Sequence, residues 1–331
     1  MSLIEVTNLC KEFKVYKRQK GFLKNVKSLF HRQFDTKMAV DDISFSINAG
    51  ELVGYVGANG AGKSTTIKML CGIITPTSGK VIVNGIEPSK DRKRNAMNIG
   101  VVFGQRSQLD WNLPMEDSFD LYRRMYRIDN ATYKRNVDMF VELLGMQTFL
   151  RQPVRTLSLG QKMRADLSVA LLHDPKILYL DEPTIGLDVD VKDKIRKFVR
   201  ALRDEKNTTI ILTTHDMADI DEICERLIMI DKGKVLVDSP LADYKHTFDN
   251  EYYIEVEFAK GTTPNALDGL DSRFTIINRV HNRVTCKFMR NQIPVREAMS
   301  LFSTNYDIVD VNIRNAKLDE IVKDFYAVNN K

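Results

Sequence analysis

"ELVGYVGANGAGKSTTIKMLCGI", residues 51–73, is the stretch that decides the fold. It opens on an apolar run, passes through a glycine-rich turn and continues as the helical "KSTTIKMLCGI". Residues 57–65, "GANGAGKST", match G-x-x-x-x-G-K-[ST] between a strand and a helix, the context the motif requires. Glycines there let backbone N–H groups curl around phosphate oxygens, and the helix start adds a favourable field. Lys63 reaches toward β- and γ-phosphates, and Ser64 offers a hydroxyl to Mg²⁺. Strand and helix on either side argue against a chance match.

"ILYLDE", residues 177–182, supplies the second half. Four apolar residues make a strand, and Asp181 at its end holds Mg²⁺ directly or through water. Glu182 follows, placed to orient and deprotonate an attacking water. "KILYLDEP" and "TTIILTTHD" are apolar throughout, as parallel strands buried on both faces are. Between them Ile195, Phe198, Val199 and Leu202 share one helical face. Residues 113–150 are also helical in pattern, with Phe119, Tyr122, Met125 and Tyr126 three and four apart, then Val137, Phe140, Val141 and Leu144. Strands alternating with helices predict an α/β fold around a mainly parallel sheet. Near Ser239 and Pro240 the style changes. Strands at 252–258, 274–279 and 283–289, a helix at 294–305, a strand at 307–314 and a helix at 317–327 predict a small α+β domain. The expected division is 1–240 and 241–331.

The bulk properties narrow the setting. A chain of 331 residues suggests two domains, and 43% hydrophobic with 28% charged residues reads as soluble and globular. The net charge of +5 is too small to argue for nucleic acid. Residues 11–37 nevertheless hold Lys11, Lys14, Lys17, Arg18, Lys20, Lys24, Lys27, Arg32 and Lys37 against only Glu12 and Asp35. Cys10, Cys71, Cys224 and Cys286 are isolated, which fits neither a zinc site nor a disulfide framework and points to a reducing cytoplasm. No apolar signal core opens the chain, and no run approaches the roughly 18 to 20 apolar residues that span a bilayer. Any membrane process is then served from the cytoplasmic side.

"RTLSLGQKMRADL", residues 155–167, taken alone is a capped helix start with Ser158 and Gly160, and with Leu159 where a known signature has glycine. In register with the other motifs it gains meaning. The chain resembles the ATP-binding cassette (ABC) ATPases over roughly residues 3–237. Gln105 in "VVFGQ" falls at the glutamine loop, "LSLGQ" at the signature, Asp188 in "IGLD" at the D-loop, and His215 in "LTTHD" at the switch histidine. The other histidines, His31, His173, His246 and His281, read as surface or packing residues.

The resemblance implies a P-loop NTPase cassette with a mainly parallel core sheet, an antiparallel β subdomain and a helical subdomain at about 106–165. A basic insertion at about 14–37 and the small C-terminal α+β domain complete it. The implied ligands are ATP and Mg²⁺. Lys63, Glu182 and His215 would be catalytic, and Ser64, Gln105 and Asp181 would serve the metal. Nucleotide contacts would come from Phe13, Gly57, Asn59, Gly60, Ala61, Gly62, Lys63, Ser64, Thr65, Gln105, Ser158, Gly160, Gln161 and Asp188. Phe13 in "NLCKEF" best matches the adenine-stacking aromatic, with Tyr16 its competitor. The family's head-to-tail homodimer would set Ser158 and Gly160 of one chain on the nucleotide of the other.

"GVVFGQRSQLDWNLP", "LSLGQKMRADLSVALLHDPKILYLDEPTIGLD" and "TTHDMADIDEICERLIMIDKGK" look most like ATPase subunits of type-two exporters, the group with daunorubicin, viologen and sodium efflux systems. "AKLDEIVKDFY" is similar to an element that closes many such subunits. That implies a separate transmembrane permease, a drug-like or lipophilic cargo, and a peripheral place on the cytoplasmic face. Arg106, Trp111 and Leu113 enter the region that in this family receives the permease. In "KGFLKNVKSLFHRQF", Phe22, Leu23, Val26, Leu29 and Phe30 line one helical face and Lys20, Lys24, Lys27 and His31 another. Such a face suits an anionic membrane surface, the permease or the protein's own core. A similar basic insertion occurs in polysaccharide and teichoic-acid exporter ATPases, which keeps that cargo open. A soluble cassette working on ribosomes or DNA would carry a second cassette or long coiled coils. A catalytically dead one would lack Lys63, Asp181, Glu182 or His215.

Overall fold

The computed structural model describes residues 2–16, 34–104, 107–259 and 270–329. The chain divides into two compact units, Met1–Leu241 and Ala242–Lys331. In the first, β1 (Ser2–Tyr16) and β2 (Phe34–Asn48) form a long antiparallel hairpin. β3 (Leu52–Gly57) and α1 (Lys63–Leu70) follow, and β4 (Ser78–Val83) joins the other side of β1 in a three-stranded antiparallel sheet. Residues 14–16 and 34–37, read from sequence as insertion, instead continue the hairpin: Lys14 pairs with Thr36, Val15 with Asp35 and Tyr16 with Phe34. Cross-strand pairing extends the ladder despite the basic composition. Residues 17–33, with the amphipathic basic face, lie outside the described residues, as do Gln105 and Arg106.

After α2 (Arg92–Ala96) and β5 (Ile99–Phe103) come three helices, α3 (Met115–Tyr126), α4 (Asn130–Leu144) and α5 (Leu159–Leu171). Phe119, Phe140 and Leu144 are buried as their spacing predicts. Met125, expected on the apolar face of α3, is 62% exposed. Tyr126, one residue on, takes the inward place and stacks on His173 with ring centroids 4.0 Å apart. The chain then alternates through β6 (Ile177–Asp181), α6 (Val189–Lys206), β7 (Thr209–Thr213), α7 (Met217–Ile223), β8 (Arg226–Asp231) and β9 (Lys234–Pro240).

The core sheet has the order β5-β6-β7-β3-β8-β9 and is parallel except for β9 at its edge. α6 shows why its sequence makes a helix. Asp188 caps it by accepting the Val191 N–H at 2.9 Å, Asn207 closes it in the left-handed region, and Ile195, Phe198, Val199 and Leu202 turn one stripe inward.

The second unit orders its strands β11-β12-β10-β13, from β10 (Glu251–Phe258), β11 (Thr275–Val280), β12 (Arg283–Met289) and β13 (Ile308–Asn315). α8 (Val295–Asn305) and α9 (Leu318–Asn329) complete the βββαβα order read from sequence. Alternate residues Ile254, Val256 and Phe258 pack with Val284, Cys286, Phe288 and Phe302 in its own core. On α9, Asp324 and Glu320 hold Lys287 and Arg314 of the sheet at 2.6 and 2.7 Å.

Candidate active site

Three strand ends meet at one level. Phe103 of β5, Asp181 of β6 and Thr213 of β7 are successive partners across the parallel sheet. Their carboxyl ends form the edge where open α/β sheets bind ligands. The Asp181 carboxylate accepts the Thr213 hydroxyl at 2.5 Å and the Ser64 hydroxyl at 3.3 Å, which ties the end of β6 to the start of α1. Lys63 is buried, and its ammonium donates back to the Gly57 and Ala58 carbonyls at 2.6 and 3.2 Å. Burial holds its pKa below the usual lysine range, while nearby Glu182 and Asp181 pull the other way. Gly62 is at φ +112°, and a Cβ there would stand 2.5 Å from the Ala39 carbonyl oxygen, so β2 bears directly on the loop.

Glu182 takes a left-handed φ of 56°, a strained setting for a non-glycine residue. Its N–H donates to the Thr213 carbonyl at 2.9 Å, and its carboxylate lies 3.3 Å from His215 Nδ1. Two adjoining clefts share Asn59, Ser64 and Glu182. The larger, about 880 Å³, adds Phe103, Gly104, Asp181 and His215 to its lining. The smaller, about 290 Å³, runs from Gly60, Gly62, Lys63 and Thr65 to Phe13, Lys37 and Ala39. Phe13 is held by Lys11, whose ammonium sits 5.2 Å from the ring centroid and donates to the Thr75 carbonyl at 2.8 Å. Tyr16 lies at the last described rung of the hairpin, opposite Phe34.

Mg²⁺ prefers oxygen donors in octahedral geometry, whose neighbouring ligands stand about 2.9 Å apart. The Ser64 and Asp181 oxygens, 3.3 Å apart, would suit two such positions.

Signature residues sit elsewhere. Ser158 caps α5 with a full capping box: its Oγ accepts the Gln161 N–H at 3.2 Å, and its own N–H donates to Gln161 Oε1 at 2.8 Å. Leu159 is half exposed and lies beside Gly186, 3.3 Å from where a Cβ there would be. A Cβ on Gly160 would stand 3.2 Å from Val191, so packing on α6 within the chain calls for a small residue there as well as any approach to phosphate. Ser158, Gly160 and Gln161 line neither cleft.

Sequence reasoning missed three supports. Thr213 orients Asp181 and Glu182 as described. Gly104 donates its N–H to the Asp181 carbonyl at 2.8 Å. Asp219, fully buried, accepts from Thr184 Oγ1 at 2.5 Å and from Arg196 Nε at 2.7 Å, fixing the turn after Glu182. Only the pairing of strand ends could have flagged Thr213 and Gly104, and Asp219 carries no local signal.

Comparison with known proteins agrees with this geometry. Residues 40–185 match the ABC transporter family model. An ABC transporter ATP-binding protein of Bacillus subtilis (strain 168), YhcH, itself uncharacterized, is 30% identical over 255 residues, 77% of this chain and 80% of that one. The Nod factor export ATP-binding protein I of Neorhizobium galegae is 36% identical over 205 residues, 62% of this chain and 58% of that one. A solved dimeric ATP-binding cassette in a post-hydrolysis state with ADP and Pi superposes with a TM-score of 0.60 at 24% identity, over 72% of this chain and 98% of that one. At that identity it speaks for the fold alone. The chain belongs to the ABC transporter ATP-binding proteins. It is an ABC ATPase, the nucleotide-binding subunit of a transporter.

Proposed function

We propose that this ATPase powers export through a separately encoded transmembrane permease, from the cytoplasmic face, with a drug-like or lipophilic cargo. The observation that carries the catalytic reading is the meeting of Lys63, Ser64, Asp181, Glu182 and His215 around two adjoining clefts, joined through Ser64 and Glu182, at the carboxyl ends of β3, β6 and β7. ATP lies with its base on Phe13 and its phosphates over residues 57–65. Lys63 exchanges its two backbone carbonyls for the β- and γ-phosphates. Ser64 and Asp181 would hold Mg²⁺, which would supply charge neutralisation at the phosphates. Glu182 accepts the proton of the in-line water, and His215, beside it, orients the γ-phosphate end.

What the clefts lack supports dimerisation. Ser158 and Gly160 stand outside both clefts of their own chain, yet the exposed start of α5 is a ready anion site. A second copy, packed head to tail, brings that helix start to the γ-phosphate. Trp111 is 56% exposed and braced by Lys162, whose ammonium lies 4.3 Å from the ring centroid, and we assign it to the permease contact. The export reading draws on the relative named for Nod factor export.

Glu182→Gln tests the assignment. Hydrolysis should fall by about 10²-fold or more, with ATP now holding a dimer visible by light scattering. A variant that hydrolyses at the parent rate would remove Glu182 from the mechanism.

A further inference from the structure

Lys37 stands directly across the hairpin from Phe13, and both line the smaller cleft with Ala39, Gly62 and Lys63. Ala39 sets the scale, because its carbonyl lies against Gly62 of the phosphate-binding loop. Lys37 is two residues along the same strand, within about 7 Å, and although the pairing shifts by one residue at Ala39, both side chains line the same cleft. An extended lysine side chain covers about 6 Å from its Cα, enough to bring the ammonium back over the loop mouth. Lys63, the other cation lining this cleft, is committed, as is Lys11 beside Phe13. Lys63 donates to two backbone carbonyls and Lys11 to that of Thr75. Lys37 is exposed, and its ammonium makes no hydrogen bond or ion pair among the described residues.

The cleft therefore holds a cation unpaired among the described residues, between the aromatic at one end and the phosphate-binding loop at the other. A bound nucleotide puts the phosphate adjoining its ribose in that interval. We propose that Lys37 is a further nucleotide-binding residue whose ammonium pairs with the phosphate adjoining the ribose, in ATP and ADP alike. This rests on the nucleotide reading of the cleft. Its role differs from that of Lys63, which serves the terminal phosphates. Lys37 keeps its partner after the γ-phosphate leaves, and so retains ADP.

Titrations of the full chain with ATP and with ADP, followed calorimetrically, test it. Lys37→Met should weaken both by a similar factor, about 5- to 20-fold, as for a partly exposed charge-assisted contact. The loss should shrink as salt is raised, and Lys37→Arg should recover most of the affinity. Lys63→Ala, by contrast, should penalise ATP more than ADP. Unchanged ADP affinity in Lys37→Met overturns the proposal, as does a loss that ignores salt or that Lys37→Arg fails to rescue. A parent chain that binds neither nucleotide would overturn the cleft reading itself.

Discussion

Glu182 and Gly104 show how closely the chemistry depends on single backbone positions. Gly104 lies so near the turn after β6 that a Cβ would stand 2.3 Å from the Glu182 carbonyl oxygen and 3.0 Å from that of Asp181. Both neighbours are backbone, so nothing flexible can yield. Gly104→Ala should cost about 1–3 kcal/mol of stability, as overpacking does, and displace both carboxylates. Misplacement of that order should lower hydrolysis by about 10²-fold, a larger relative effect than on the melting temperature. Phosphate release and thermal melts on one preparation decide it, and an unchanged rate refutes the argument. Residues 57–65 and 177–182 were legible because each motif is local: the glycines, Lys63, Ser64 and the acid pair act where the sequence writes them. Gly104 and Thr213 were not, because their roles arise from register between strands far apart in the chain.

At the scale of elements, α5 links the signature to the segment after the glutamine loop. Asp166, buried on α5, accepts the Gln108 N–H at 2.8 Å and the Ser107 hydroxyl at 3.0 Å, and burial pushes its pKa up to about 6. His173, just past the end of α5, donates Nε2–H to the Ile99 carbonyl at 3.1 Å, and burial pushes its pKa down to about 4. Their titrations oppose. Between the unfolded Asp value of about 3.9 and its folded value, the folded chain holds the extra proton on Asp166, so this group adds stability as pH falls. Between the folded His173 value and about 6.5 the folded chain lacks the proton, so stability is lost as pH falls. The parent chain should therefore change little through these two groups. Asp166→Asn leaves His173 uncompensated and should lose about 1–2 kcal/mol more than the parent between about pH 6.5 and about pH 5, read by urea unfolding. Equal pH slopes in the two proteins would contradict this. The cap at Ser158 was readable from residue type alone, whereas Asp188, read as the D-loop residue, proved also to cap α6. The hairpin beyond Phe13 was not readable, because its basic residues hid a ladder that cross-strand pairing maintains.

For the whole molecule, each unit has its own buried cluster, and both clefts are lined by residues of the first. Leu241 is buried, with its N–H on the Glu225 carbonyl at 2.8 Å, which marks where a truncation should end. Residues 1–241 alone should bind ATP within about threefold of the full chain, as an independent domain would. Loss of binding in a fluorescence titration would show that the second unit supports the site. The alternation of strands and helices made the parallel sheet legible, but no local pattern gives the order β7-β3-β8, which only the folded chain reveals. That order has a consequence during synthesis. The strand that carries the phosphate-binding loop lies between two strands made much later, and the loop is itself tied by the Gly233 N–H to the Ala61 carbonyl at 3.0 Å. Roughly 170 residues, on the order of ten to thirty seconds of translation, separate Ala61 from Gly233. A nascent chain arrested before β8 thus exposes a phosphate loop whose strand has no neighbour on one side, and competence to hold ATP should arrive late, with the β8–β9 turn.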